Sequence, residues 1–141
     1  MTVTAEDLNQ RIRGRLAGAL GIELLEVSAT TVVSRLVVRD DLMNTLGSLH
    51  AAAIVAIADT TCGAGSLASL PAGARGFVTL ELKTNFVGVV KQGAVRCIAR
   101  VRHAGERTQV WEASIEDEAT NKAIAFFSCT QLLLYQRASD G

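Results

Sequence analysis

The sequence predicts an α+β domain in which an antiparallel sheet of about six strands packs against one long helix. Residues 50–62 are rich in alanine and apolar on every side, which is typical of a helix enclosed in a core. Residues 76–135 contain four strand-like stretches, and residues 79–83 and 95–102 alternate with period two. A sheet with one apolar face and a helix without a polar face bury each other, so we expect one domain over residues 1–141.

An amphipathic helix is expected over residues 5–20, before the sheet begins. Its apolar residues recur at helical spacing: Leu8, Ile12, Leu16 and Leu20. Thr4 is a suitable N-cap, and Gly21 is a stop signal. The stretches 22–27 and 31–38 are rich in β-branched residues and joined by a short link, so they predict a hairpin.

The central helix is predicted over residues 49–69, with Ser48 as its cap and Pro71 beyond its end. Four strands are expected after it, over residues 76–87, 93–103, 107–117 and 122–135. The last of these is apolar, whereas the two before it have a polar outer face. We therefore expect part of the sheet to be covered by a partner.

Composition excludes several classes of function. The formal charge is zero, with 14 basic and 14 acidic residues, which gives no reason to expect nucleic acid or a membrane surface as the main partner. The three cysteines lie in apolar surroundings without metal-ligand spacing, so they predict buried, reduced thiols. We find no signal peptide, no stretch apolar enough to cross a membrane and no phosphate-binding or dinucleotide-binding glycine motif. The expectation is a cytoplasmic protein that needs neither metal nor cofactor.

Asp59 is the candidate functional residue that the sequence singles out. It is the only Asp, Glu, Lys or Arg between Leu42 and Ala74, and it lies within the apolar helix. A buried carboxylate carries a desolvation penalty of several kcal/mol unless it is partnered or protonated. Two interpretations stay open: a structural carboxylate that bonds a neighbouring backbone, or a general base or nucleophile with a pKa set by burial.

His50 lies nine residues before Asp59. At ~100° and ~1.5 Å per residue, the two side chains lie on opposite faces of the helix and ~13 Å apart. Either they have separate tasks, or two copies pair their helices antiparallel and bring His50 of one near Asp59 of the other. His50 also stands in the first helical turn, where unpaired N–H groups can polarise a carbonyl, although a packing role there is the simpler alternative.

Residues 44–52 (Asn-Thr-Leu-Gly-Ser-Leu-His-Ala-Ala) and 58–60 (Ala-Asp-Thr) resemble the signature of hotdog-fold acyl-CoA thioesterases. The group that they resemble most is the phenylacetate-degradation and 4-hydroxybenzoyl-CoA thioesterase type. Its pattern is Asn or Gln, then His-Gly-Gly, then Asp or Glu nine residues after the histidine. The likeness runs from about Gly21 to Leu134. It implies a sheet wrapped around the central helix, and dimers that join two sheets edge to edge, often paired into tetramers, with active sites at the dimer interface.

The resemblance also implies a role for each matching residue. Asp59 would be the general base or nucleophile, and the backbone N–H of Ala51 would polarise the thioester carbonyl. Asn44 would lie near the thioester or the lytic water, His50 would orient the loop before the helix, and Thr79 would hold the water. A turn would meet the CoA phosphates; it comprises Gly105, Glu106, Arg107 and Thr108.

The sequence departs from the family pattern at Ala51 and Ala52, which replace the usual Gly-Gly pair. The N–H of Ala51 is retained, but its methyl group is expected to crowd the thioester. Gly88 stands near the place where a proline is common in the family. The expected activity is hydrolysis of an acyl-CoA thioester to CoA and a carboxylic acid. The alternatives are a non-catalytic acyl-CoA-binding hotdog protein and a hotdog hydratase or dehydratase, whose usual Asp and His five residues apart are missing here.

Overall fold

Six antiparallel strands enclose one long helix in the computed structural model, which describes residues 2–137. The helices are α1 (Ala5–Ile12), α2 (Leu16–Leu20) and α3 (Ala51–Ala68), with a short 3₁₀ turn at Asp40–Leu42. The strands are β1 (Glu23–Val27), β2 (Thr31–Val37), β3 (Ala74–Phe86), β4 (Ala94–Ala104), β5 (Thr108–Asp117) and β6 (Ala123–Tyr135). The predicted α+β class and the predicted sheet of six strands around a central helix are confirmed.

The strands lie in the order β1-β2-β4-β5-β6-β3. Strands β4, β5 and β6 are neighbours in the sheet as in the chain, and every pair is antiparallel. Strand β3 follows α3 and lies outside β6, so it forms one edge of the sheet while β1 forms the other. An edge strand leaves one row of backbone N–H and C=O groups unpaired within its own sheet.

Helix α3 lies against all six strands, and this contact forms the core. Ile57, Ala58 and Cys62 of α3 are fully buried, as is Trp111 of β5. Gly65 allows the indole ring to approach the helix, because a Cβ atom there would lie 2.3 Å from the ring. By length and mean hydropathy (1.4) α3 would suffice to cross a membrane, which the sequence analysis did not expect. Since 56% of it is buried inside the protein, the fold itself accounts for its apolar composition.

The three cysteines are unpaired and buried, as predicted. Cys62 of α3, Cys97 of β4 and Cys129 of β6 are all fully buried in the core. Burial raises the pKa of the Cys97 thiol to about 12, which keeps it protonated at neutral pH.

The predicted N-terminal helix over residues 5–20 was wrong as one continuous element. Gly14 has φ of 68°, a left-handed conformation that interrupts the helix, and α2 starts afresh after Arg15. Thr4 caps α1 as predicted, through a capping box with Asp7. The strand predictions agree with the structure to within about two residues at each end.

The predicted start of the central helix was also wrong. Its N-cap is His50 rather than Ser48, and the helix begins at Ala51 rather than Leu49. The Nδ1 atom of His50 accepts a hydrogen bond from the Ala52 N–H at 2.9 Å, which is the usual work of a capping serine or aspartate. Ser48 instead bonds to Asn44 in the preceding loop.

Candidate active site

Asp59 lies half-buried in the third turn of α3 and faces strand β3. The Thr79 hydroxyl is its hydrogen-bond partner, with 3.4 Å between Thr79 Oγ1 and Asp59 Oδ1. Burial raises the pKa of Asp59, and the Thr79 hydroxyl opposes this shift. Within residues 2–137 the carboxylate accepts no backbone hydrogen bond and joins no ion pair, so the geometry offers no structural task for it.

An apolar cavity of about 190 Å³ opens beside Asp59. It is lined by residues of α1, α3 and the two edge strands, β1 and β3. Its walls are formed by Leu8, Ile12, Leu24, Thr60, Gly63, Ala64, Leu67 and Phe77, together with Asp59 itself. A carboxylate facing an apolar cavity is poorly solvated and therefore keeps its basicity.

The first turn of α3 presents an unpaired backbone donor. His50 Nδ1 takes the N–H of Ala52, and the His50 carbonyl takes the N–H groups of Ala53 and Ile54 at 2.9 and 3.2 Å. Among the described residues, nothing accepts the N–H of Ala51, and Ala51 is exposed. Because Nδ1 of His50 is an acceptor, the proton of its neutral ring is on Nε2. An exposed N–H at the positive end of an 18-residue helix suits a carbonyl oxygen that gains negative charge.

Asn44 holds the shape of the loop before α3. Its Oδ1 accepts from the N–H groups of Leu46 (2.9 Å) and Ser48 (3.2 Å), and its Nδ2 donates to Ser48 Oγ at 2.9 Å. The Asn44 N–H donates to the Ser48 carbonyl at 2.8 Å. The side chain is thus engaged with its own loop, and its predicted contact with a thioester or water stays a prediction.

One chain does not bring His50 and Asp59 together. His50 borders a separate apolar cavity of about 310 Å³, whose walls include Leu20, Met43 and Ala56. This cavity shares no lining residue with the cavity at Asp59. His50, the N-cap of α3, and Asp59, in its third turn, therefore border different cavities, and their catalytic roles stay predictions.

The turn predicted to meet phosphates joins β4 to β5. The Gly105 N–H donates to the Thr108 carbonyl at 2.9 Å, and the Tyr135 hydroxyl donates to the Glu106 carbonyl. Glu106, Arg107 and Tyr135 border a cleft of about 600 Å³, together with Pro71 and Ala72 beyond the end of α3. The turn offers one cation, Arg107, beside an open cleft; its contact with CoA stays a prediction.

Sequence reasoning missed Gln131, which the structure places next to Thr79. Gln131 Oε1 accepts from Thr79 Oγ1 at 2.8 Å, and the side chain is fully buried. It faces Gln109 across the β5–β6 pair, and Gln109 is also fully buried. The signal was present, because period-two alternation puts both glutamines on the apolar face of their strands, where a polar side chain needs partners.

Comparison with known proteins gives the family. The sequence profile of the thioesterase superfamily matches residues 46–124. ComA2 of Bacillus subtilis is 35% identical over 115 residues, which cover 82% of this chain and 90% of that protein. The 1,4-dihydroxy-2-naphthoyl-CoA hydrolase of Escherichia coli is 31% identical over 118 residues, covering 82% and 85%. The crystal structure of thioesterase HI1161 from Haemophilus influenzae has a TM-score of 0.90 and 26% identity, covering 100% of this chain and 97% of that one.

The chain therefore belongs to the thioesterase superfamily, and its fold is the hotdog fold of those enzymes. The family predicted from residues 44–60 is confirmed. The protein is a hydrolase of thioesters, in agreement with the names of its relatives.

Proposed function

We propose that this protein hydrolyses an acyl-CoA thioester at sites shared between two copies of the chain, without a cofactor beyond the CoA of its substrate. The observation that carries the proposal is that α3 presents two chemically complementary groups at different places along its length. A poorly solvated carboxylate, Asp59, lies in the third turn, and an unpaired N–H, that of Ala51, lies at the N-terminus. Neither half suffices alone, because hydrolysis needs a base and a group that stabilises the oxyanion.

The reaction follows from these two groups. Asp59 of one copy takes a proton from a water molecule whose oxygen attacks the thioester carbon. The carbonyl oxygen becomes negative and accepts from the Ala51 N–H of the other copy, aided by the helix dipole. The C–S bond then breaks, the CoA thiolate leaves, and Asp59 returns the proton to sulfur. In the alternative route the Asp59 carboxylate attacks the carbon itself and displaces the CoA thiolate, and water then hydrolyses the resulting anhydride, which restores Asp59 and releases the acid.

The free edge at β3 supports a dimer. Its exposed apolar side chains include Val78 (44% exposed), Leu80 (57%), Leu82 (43%) and Phe86 (47%). An exposed apolar edge strand is a template for pairing with another chain. Antiparallel pairing of two β3 strands about a two-fold axis would place the two α3 helices side by side and antiparallel, as the shared site requires. Pairing of such dimers into a tetramer would bury further exposed surface.

The test is a thiol-release assay over a panel of aryl-CoA and alkyl-CoA esters. Asp59→Asn should lower kcat by about 10²–10⁴-fold, the usual contribution of a positioned base. Glu26→Gln, which removes an exposed carboxylate on β1, is the matched control and should leave kcat unchanged. Full activity in Asp59→Asn would overturn the role of Asp59. Binding of CoA esters without turnover by the unmodified protein would show the non-catalytic binding protein instead.

A single turnover in ¹⁸O-labelled water tests for the anhydride route. Direct attack by water places the label in the released carboxylic acid. If Asp59 attacks instead, hydrolysis of the anhydride at the Asp59 carbonyl places the label in the Asp59 carboxylate, where peptide mass spectrometry detects it. We expect the label in the acid because Asp59 lies beside the Thr79 hydroxyl, a group suited to holding water.

A further inference from the structure

The Thr79 hydroxyl lies between two oxygen atoms that both accept hydrogen bonds. Its Oγ1 is 2.8 Å from Gln131 Oε1 and 3.4 Å from Asp59 Oδ1. A hydroxyl carries one proton, and O–H···O bonds span roughly 2.5–3.0 Å. The Thr79 proton therefore points chiefly to Gln131 and only weakly toward Asp59, which leaves the oxygen lone pairs free to accept from a water molecule.

The Gln131 amide is held in the orientation that this arrangement needs. Its Nε2 donates to Cys129 Sγ at 3.4 Å, which directs Oε1 toward Thr79. The Gln131 side chain is fully buried, so bulk water does not compete for Oε1. Cys129 is fully buried as well, whereas Thr79 is exposed, so the hydrogen-bonded chain runs from a sulfur in the core to a hydroxyl at the surface.

We infer that Gln131 is a positioning residue for hydrolysis: by accepting the Thr79 proton, it makes the Thr79 oxygen an acceptor for the attacking water. This role rests on the proposed function of Asp59. One water can donate to both Thr79 Oγ1 and Asp59 Oδ1, because these atoms are 3.4 Å apart and each bond spans about 2.8 Å. With both of its protons so directed, the water oxygen presents its lone pairs to the thioester carbon.

The same arrangement leaves Asp59 a stronger base. A hydroxyl that donated fully to the carboxylate would stabilise its charged form and lower its pKa. The side chains that face Asp59 from α1, β1 and β3 in the described structure are uncharged, namely Leu8, Ile12, Leu24, Phe77 and Thr79. The titratable groups nearby are the thiol of Cys62, on the same helix, and the thiol of Cys129, reached through Gln131. Control of the Thr79 proton is therefore the main polar influence on Asp59.

The test measures the Asp59 pKa directly, by ¹³C NMR of labelled aspartate carboxyls, beside the pH profile of kcat. Gln131→Met keeps the length of the side chain but removes the acceptor, so the Thr79 proton turns to Asp59. We expect the Asp59 pKa and the acid limb of the profile to fall by about one unit, and kcat to fall roughly tenfold. Thr79→Val should raise the Asp59 pKa by only a few tenths of a unit, because Asp59 then loses only a long, weak hydrogen bond. In the double variant, Gln131→Met should have no further effect on the pKa.

Gln109→Met is the matched control. Gln109 is an equally buried glutamine opposite Gln131, but it accepts from Trp111 Nε1 at 3.0 Å and donates to the Ser69 carbonyl at 3.1 Å. Its loss should lower the melting temperature without moving the acid limb. A structural role for Gln131 would give that same pattern and would overturn the inference.

Two other outcomes are decisive. If the amide had the opposite orientation, Nε2 would donate to Thr79, whose proton would turn to Asp59 in the unmodified protein. Thr79→Val would then raise the Asp59 pKa by about one unit and Gln131→Met would not lower it, which would overturn the inference. Failure of the proposed function is distinguishable, because Asp59→Asn would then stay active while the NMR titration still reports the direction of the Thr79 proton.

Discussion

Replacement of Ala51 by proline would remove one backbone N–H and little else. Ala51 is the first residue of α3, and its N–H has no acceptor among the described residues. Proline is favoured at this helical position, and His50 has φ −63° and ψ 138°, the extended conformation that a residue before proline prefers. The fold should therefore lose no hydrogen bond, and the free energy of unfolding should stay equal or rise by about 0.4–1 kcal/mol.

The catalytic effect of Ala51→Pro should be large. Loss of one oxyanion donor costs about 10²–10³-fold in kcat, or roughly 2.7–4 kcal/mol of transition-state stabilisation. The assay is CoA thiol release, paired with urea unfolding to show that the variant is folded. Ala51→Val keeps the N–H and adds bulk, and Ala51→Gly keeps the N–H and removes the methyl group; both should retain kcat within about tenfold. Retained activity in Ala51→Pro, or an equal loss in Ala51→Val, would refute the role of this N–H.

Three further predictions follow from packing, charge and the sheet edge. Gly65→Ala should lower the free energy of unfolding in urea by about 1–3 kcal/mol, because its Cβ would lie 2.3 Å from the Trp111 ring. Gly63→Ala, where the Cβ would meet only the tip of the Phe77 ring at 2.9 Å, should be neutral or stabilising. An equal loss of unfolding free energy in both variants would contradict this reasoning. Because burial raises the pKa of Asp59, the folded state binds more protons, and stability falls as pH rises from the unfolded to the folded pKa. Asp59→Asn should therefore raise the melting temperature at neutral pH, and a lower melting temperature would contradict a raised Asp59 pKa in the folded state. Leu80→Lys charges the exposed edge of β3 and should give monomers in sedimentation and no thiol release, whereas active monomers would exclude a shared site.

The sheet could be predicted because its strands carry their pattern locally. Residues 95–102 alternate with period two, and the observed β4 is Ala94–Ala104. The helix around Asp59 could also be predicted, because an apolar run that contains one charge indicates both a core helix and a candidate functional residue. Order within the sheet was not predicted from the pattern, because the place of β3 outside β6 depends on how the chain crosses after α3.

Details that depend on one backbone angle or one buried contact were missed. The break at Gly14 requires a positive φ, which its sequence neighbours do not reveal. Histidine is an uncommon cap, so Ser48 was preferred to His50. Gln131 was overlooked because a glutamine in a strand is usually solvent-exposed, and its burial shows only when β5 and β6 are paired over α3.

The most direct test of the shared site is complementation between two inactive variants. One tagged chain carries Ala51→Pro and a differently tagged chain carries Asp59→Asn, and mixed dimers are purified through both tags. In such a dimer one site carries both defects, and the other combines an intact Ala51 with an intact Asp59. A site built from two copies predicts recovery of about half of the normal kcat per dimer. A site built within one chain would leave every site defective, so mixed dimers as inactive as their parents would contradict the account.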